Sequence, residues 1–170
     1  MLVSGLPGSG KSHFSRELCR RYPLAHLNSD ALRRALFLHP AHTAGESARL
    51  FAAVHALLER LLSEGVSAVL DATSLKEEHR RPLYEIAGRA GAGLIIVRTE
   101  APEAVALGRL ATRARGSDPE DASEATAAVY NRMKGEVEPI EQTHITVDTS
   151  KDIAAAVEAV LQQLSVSRRV

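Results

Sequence analysis

The sequence is short of cysteine, aromatic residues and net charge, and each shortage closes off a class of function. Its single cysteine, Cys19, allows no disulfide framework. An intracellular setting follows as the simpler reading, and a soluble cytoplasmic protein is expected. On its helix Cys19 suits a small buried residue better than a nucleophile. Tryptophan is absent and aromatics make up 4% of the chain, which leaves little on which the bases of a single strand could stack. The 21 basic and 21 acidic side chains cancel. No global field therefore recruits a polynucleotide or a membrane, and such a partner would need a local basic patch. No apolar run reaches the roughly 20 residues that span a bilayer, and no stretch reads as a secretory signal. His39 and His42 flank a proline in a loop without nearby cysteine, which falls short of a zinc-ligand pattern.

What is present begins with Gly5-Leu6-Pro7-Gly8-Ser9-Gly10-Lys11-Ser12, which fits the phosphate-loop pattern G-x-x-x-x-G-K-[ST]. Glycines let backbone N–H groups approach phosphate oxygens with no Cβ in the way. Lys11 can reach the β- and γ-phosphates, Ser12 can ligate Mg²⁺, and the helix that follows points its positive end at the anion. The context is the required one, with an apolar strand start at Met1–Ser4 before the loop and a helix over 11–22 after it.

The 170 residues suit one domain with a real core, 1–170. Strands are expected at 24–28, 66–70, 94–97 and 144–147, with helices over 29–38, 44–64, 102–114, 123–133 and 152–164. Ser29 or Asp30 is expected to cap the first of these. The second carries a stripe of Leu50, Phe51, Val54, Leu57, Leu58, Leu61 and Leu62 and closes at Gly65. A helix holding Leu83, Ile86 and Ala87 has an uncertain start, because a proline such as Pro82 is tolerated only in a first turn. Residues 115–121 are the most polar and turn-rich, and 165–170 are expected to fray. Strands alternating with helices predict a parallel sheet covered on both faces, with ligands beyond the carboxyl ends of its strands.

Chemistry-bearing residues fall at those ends. Asp71 closes the third strand, where a carboxylate can hold a metal-bound water and orient Ser12. No Glu adjoins it and no Asp-x-x-Gly follows, which counts against a motor or a molecular switch. Asp30 follows the second strand, as a helix cap or as a general base toward an acceptor hydroxyl. Arg33, one turn on, suits a local ion pair or a clamp on an anionic acceptor. Arg109 and Arg113 share a helix face, and Arg115 follows, just before the polar segment; a lid over about 109–124 could deliver them to a transferring phosphoryl group.

In this order, Gly5–Ser12, Ser29-Asp30-x-x-Arg33, Asp71-Ala72-Thr73-Ser74 and the pair Arg109/Arg113 resemble a group of P-loop kinases among the AAA-type ATP-binding domains. That group includes the 5′-hydroxyl polynucleotide kinases and is similar to the zeta-toxin kinases. The resemblance implies a three-layer α/β/α P-loop NTPase sandwich, with a five-stranded parallel sheet of order 2-3-1-4-5 and a helical lid. It implies Lys11, Asp30 and Arg113 as catalytic groups. ATP would be held by Gly8, Ser9, Gly10, Lys11, Ser12, Arg109 and Arg113, Mg²⁺ by Ser12 and Asp71, and the acceptor by Asp30 and Arg33. Ser74 stands where the group commonly has Asn. The expected reaction moves the γ-phosphoryl group of ATP to an acceptor hydroxyl, first a 5′-hydroxyl nucleic-acid end. The alternatives are a sugar, metabolite or antibiotic acceptor, or a regulatory ATP-binding module without catalysis.

Overall fold

A computed structural model describes residues 1–115 and 125–167. Five strands, β1 (Leu2–Ser4), β2 (Ala25–Asn28), β3 (Ala68–Asp71), β4 (Ile96–Glu100) and β5 (Ile145–Asp148), form one sheet. All its pairings are parallel, in the order β2-β3-β1-β4-β5. This is the P-loop fold expected from the sequence. Its helices are α1 (Lys11–Arg21), α2 (Ser29–Leu36), α3 (Ala44–Ser63), α4 (Glu77–Arg89), α5 (Glu103–Ala114), α6 (Ala127–Lys134) and α7 (Ala154–Ser167).

The two-residue period of each strand divides the core. Leu2, Leu70 and Ile96 point to one face and pack with Leu50, Val54 and Leu58 of α3 and Leu83 and Ile86 of α4. Their neighbours Val3, Val69 and Val97 point to the other, against Phe14 and Leu18 of α1 and Val157 and Val160 of α7. Apolar residues on both faces make each strand a continuous hydrophobic run, as a buried parallel sheet requires. The α3 stripe is spent on this packing, except for Leu57, which is exposed. A smaller cluster of Ala106, Leu110 and Tyr130 joins α5 to α6.

Several boundaries move for tertiary reasons. Asn28, not Ser29 or Asp30, caps α2, its side chain accepting from the Ala31 N–H. β3 begins at Ala68, leaving Val66 exposed. β4 runs on through Arg98, Thr99 and Glu100, because pairing with β5 continues to Glu100–Asp148 after the apolar run ends. Pro82 lies in the second turn of α4, not the first. The helix starts earlier because Glu138 accepts from the Glu77 N–H and Arg80 binds the carbonyls of Ser74 and Leu75. α6 begins at Ala127, with Thr126 as cap, and residues 123–124 of the expected helix lie outside the described residues. α7 continues to Ser167, so the expected fraying at 165–167 gives way to helix.

Leu50 is fully buried, and Leu50→Ala is expected to cost about 2–5 kcal/mol in urea unfolding. Leu38→Ala, at a side chain 89% exposed, should stay within about 0.5 kcal/mol of the parent.

Candidate active site

The carboxyl ends of β1, β2 and β3 open into a cleft of ≈ 530 Å³. Its floor is the loop after β1. Gly8 and Gly10 have φ of 76° and 82°. A Cβ at Gly8 would stand 2.6 Å from the Ala106 carbonyl oxygen, and one at Gly10 would stand 2.7 Å from Thr149 Oγ1. Conformation and close approach together demand glycine at both positions. Gly10 also caps α1, whose first turn carries no acidic side chain, so its positive end is left for an anion. Lys11 and Ser12 line the cleft, and Lys11 Nζ donates to the Leu6 carbonyl at 3.1 Å.

Ser9 sits within the loop between β1 and α1. Its side chain is buried, shares a 2.8 Å hydrogen bond with Thr99 Oγ1, and does not line the cleft. The hydroxyl pins the loop to β4, and only the backbone of Ser9 remains for a ligand.

Asp71 ends β3 with its side chain 2% exposed and lines the cleft beside Ser12. The two are joined by a residue that the sequence reading missed. Asn28 Nδ2 donates to Asp71 Oδ2 at 2.6 Å and to Ser12 Oγ at 3.2 Å, while its Oδ1 caps α2. As the last residue of β2, Asn28 could have been found by the strand-end rule that singled out Asp30. His26 Nε2 lies 3.6 Å from Asp71 Oδ2, beyond hydrogen-bond length and without a hydrogen-bond partner. Burial alone would raise the Asp71 pKa. The nearby His26, the Lys11 charge, and Ser12 and Asn28 outweigh it and hold the carboxyl below its ordinary value. A carboxylate and a hydroxyl on one side of a phosphate loop are the hard oxygen donors that suit Mg²⁺, which keeps waters and shares substrate phosphates.

Asp30 lines the same cleft, next to Ser29. Arg33 does not. It is buried, pairs through Nη1 with Glu46 of α3, and donates from Nη2 to Ser47 Oγ at 3.2 Å. Glu46 also accepts from the backbone N–H groups of Ala41 and His42. Arg33 therefore fixes α2, and with it Asp30, to α3; this replaces the acceptor contact expected of it.

Arg109 and Arg113 of α5 both line the cleft. Arg109 Nη1 donates to the Gly8 carbonyl at 3.2 Å and to Thr149 Oγ1 at 2.8 Å, and Nη2 to the Thr149 carbonyl at 2.7 Å. Arg115 follows the last turn of α5, exposed and away from the cleft. Residues 116–124 of the expected lid lie outside the described residues. Arg80 is 1% exposed and binds backbone carbonyls from Ser74 to Pro139, holding the segment after Asp71 in place.

A family model described as an AAA domain, AAA_33, matches residues 1–140. Comparison with curated proteins finds no match. Among solved structures, the chain is similar to Kti12 of Chaetomium thermophilum in complex with ADP-AlF3, with 20% identity, 98% of this chain and 97% of that one covered, and a TM-score of 0.75. A gluconokinase from Sinorhizobium meliloti is 23% identical, with 99% and 93% covered and a TM-score of 0.69. The APS kinase CysC of Mycobacterium tuberculosis, in complex with AMPPNP and APS, is 19% identical, with 96% of both chains covered and a TM-score of 0.70. At these identities the likeness is one of fold.

Gly10→Ala forces a left-handed alanine against Thr149 and should lower stability by roughly 1–3 kcal/mol in thermal unfolding. Asp71 stabilises the fold through its ionised form, so its contribution is complete above about pH 4, the ordinary range of the group. That contribution is lost as pH falls through the lower folded value. Asp71→Asn should accordingly flatten the acid limb of a stability-against-pH curve.

Proposed function

The chain belongs to the AAA_33 family of AAA domains, and from that premise we propose that it is an ATP- and Mg²⁺-dependent kinase acting on the hydroxyl of a small molecule. One observation carries the reading: the phosphate loop, the Asp71–Ser12 pair and Asp30 line a single cleft. Donor and acceptor can therefore meet in it. The acceptor oxygen attacks the γ-phosphorus, the bond to the β–γ bridging oxygen breaks, and ADP leaves. Asp30 takes the hydroxyl proton. Lys11 and Arg113 offset the charge spread over the transferring oxygens. Mg²⁺, held through Ser12 and Asp71, would supply further charge neutralisation at the phosphates.

A small acceptor is favoured over the 5′-hydroxyl nucleic-acid end that the resemblance put first. A cleft of ≈ 530 Å³, shared with a nucleotide, is on the scale of small-molecule sites. The balanced charge of the chain gives no field for a polynucleotide. Among relatives of the same fold, one is a gluconokinase and another an APS kinase with APS bound. A regulatory module without catalysis is less well supported, since it has no use for a carboxylate facing the phosphate loop, and the α3 stripe that could meet a partner is packed on the sheet.

The test is transfer from labelled ATP to a panel of sugars, other small hydroxyl compounds and a 5′-hydroxyl oligonucleotide. Turnover with a small acceptor is expected, and transfer to the oligonucleotide alone would overturn the acceptor assignment. Asp30→Asn should lower kcat by about 10²–10⁴-fold while calorimetric affinity for ADP stays near that of the parent. Near-normal turnover in this variant would remove Asp30 as the base.

A further inference from the structure

Thr149 is the first residue after β5 and is 5% exposed. Three elements converge on it. Its Oγ1 donates to the Ser9 carbonyl at 2.8 Å and accepts from Arg109 Nη1 at 2.8 Å, so the hydroxyl uses its single proton and a lone pair. Its carbonyl accepts from Arg109 Nη2 at 2.7 Å, and its N–H donates to the Glu100 carbonyl at the end of β4 at 2.9 Å. The same Oγ1 stands where a side chain on Gly10 would have to be. One hydroxyl thus touches the phosphate loop at Ser9, abuts it at Gly10, and holds the arginine that also reaches the Gly8 carbonyl.

We propose that Thr149 is a positioning residue of the nucleotide site: its hydroxyl ties Arg109 of α5 to the phosphate loop and so sets the loop's shape and the approach of Arg113. Arg109 and Arg113 are one helical turn apart on the same face, so fixing the first aims the second. In this division of labour Arg109 anchors the loop, and Arg113 lines the cleft one turn further along α5. Bonds to a charged guanidinium are the stronger kind, and losing one partner leaves a buried carbonyl of the loop unsatisfied.

The proposal rests on reading the cleft as a nucleotide site, so its test is calorimetric binding of ADP with Mg²⁺, which needs no acceptor. Thr149→Val keeps the shape and deletes the hydroxyl; it should weaken ADP binding by about tenfold. Thr149→Ser keeps the hydroxyl and should stay within about threefold of the parent. Arg109→Gln should also weaken binding, and the double variant should fall short of the summed single effects, since the two residues are joined by a direct hydrogen bond. Parent-like affinity in Thr149→Val, even with a lower Tm, overturns the proposal, as do additive effects in the double variant. A parent protein that binds no ADP or ATP overturns the kinase reading instead. Amide exchange over residues 8–10 of the nucleotide-free protein should quicken in Thr149→Val and in Arg109→Gln; unchanged exchange in both overturns the anchoring whatever the binding data.

Discussion

The phosphate loop lies so close to the α5 backbone at Gly8 and to Thr149 at Gly10 that no side chain fits at either glycine, and the site depends on that contact. The loop cannot be shaped by its own residues alone, because three glycines in eight positions carry a large conformational entropy. Its shape comes from walls: Thr99 behind Ser9, Ala106 and Arg109 at Gly8, and Thr149 at Gly10. Those walls belong to β4, which the sheet order places beside β1, to the end of β5, which pairs with β4, and to α5. The topology thus supplies the rigidity that the loop lacks.

Charge in the cleft is arranged to a similar end. Asp71 is a buried carboxylate that stays ionised against its burial because His26, Lys11, Ser12 and Asn28 surround it. A carboxylate so held presents its charge in a fixed direction, which is what an electrostatic site requires of its groups before any ligand arrives. Asp30 differs in its setting. It stands on the first turn of α2 and is only half-buried, with its helix moored from behind by Arg33 and Glu46. A rigid mooring behind a more open carboxylate suits the general-base role proposed for Asp30.

The residues legible in the sequence were those whose roles follow from local spacing. Gly5–Ser12 is a motif with a fixed geometry, and Asp30 and Asp71 could be placed because polar residues at strand ends converge in a parallel sheet. The sheet order came from resemblance, and the helix stripes from periodicity. What stayed hidden was decided by partners distant in the chain. Whether Arg33 reaches the cleft depends on Glu46, whether Ser9 faces a ligand depends on Thr99, and Arg80 reads as surface charge until the carbonyls around it are seen. The end of β4 escaped for the same reason, because its last pairs are made with β5 rather than dictated by apolar residues. Asn28 and Thr149 were visible as strand-end polar residues; their partners were not.

The contact between Thr149 and Ser9 joins residues 140 apart in the chain, and this bears on when the site can form. Closing so long a loop is an entropic cost met only after the intervening strands have docked. The Walker-type loop is synthesised well before its outer wall, which follows 140 residues later. During synthesis, the early chain carries the signature of a nucleotide site without the means to shape one. Binding competence should therefore mark completion of the fold, with a nucleotide acting late, as a clamp on the finished sheet.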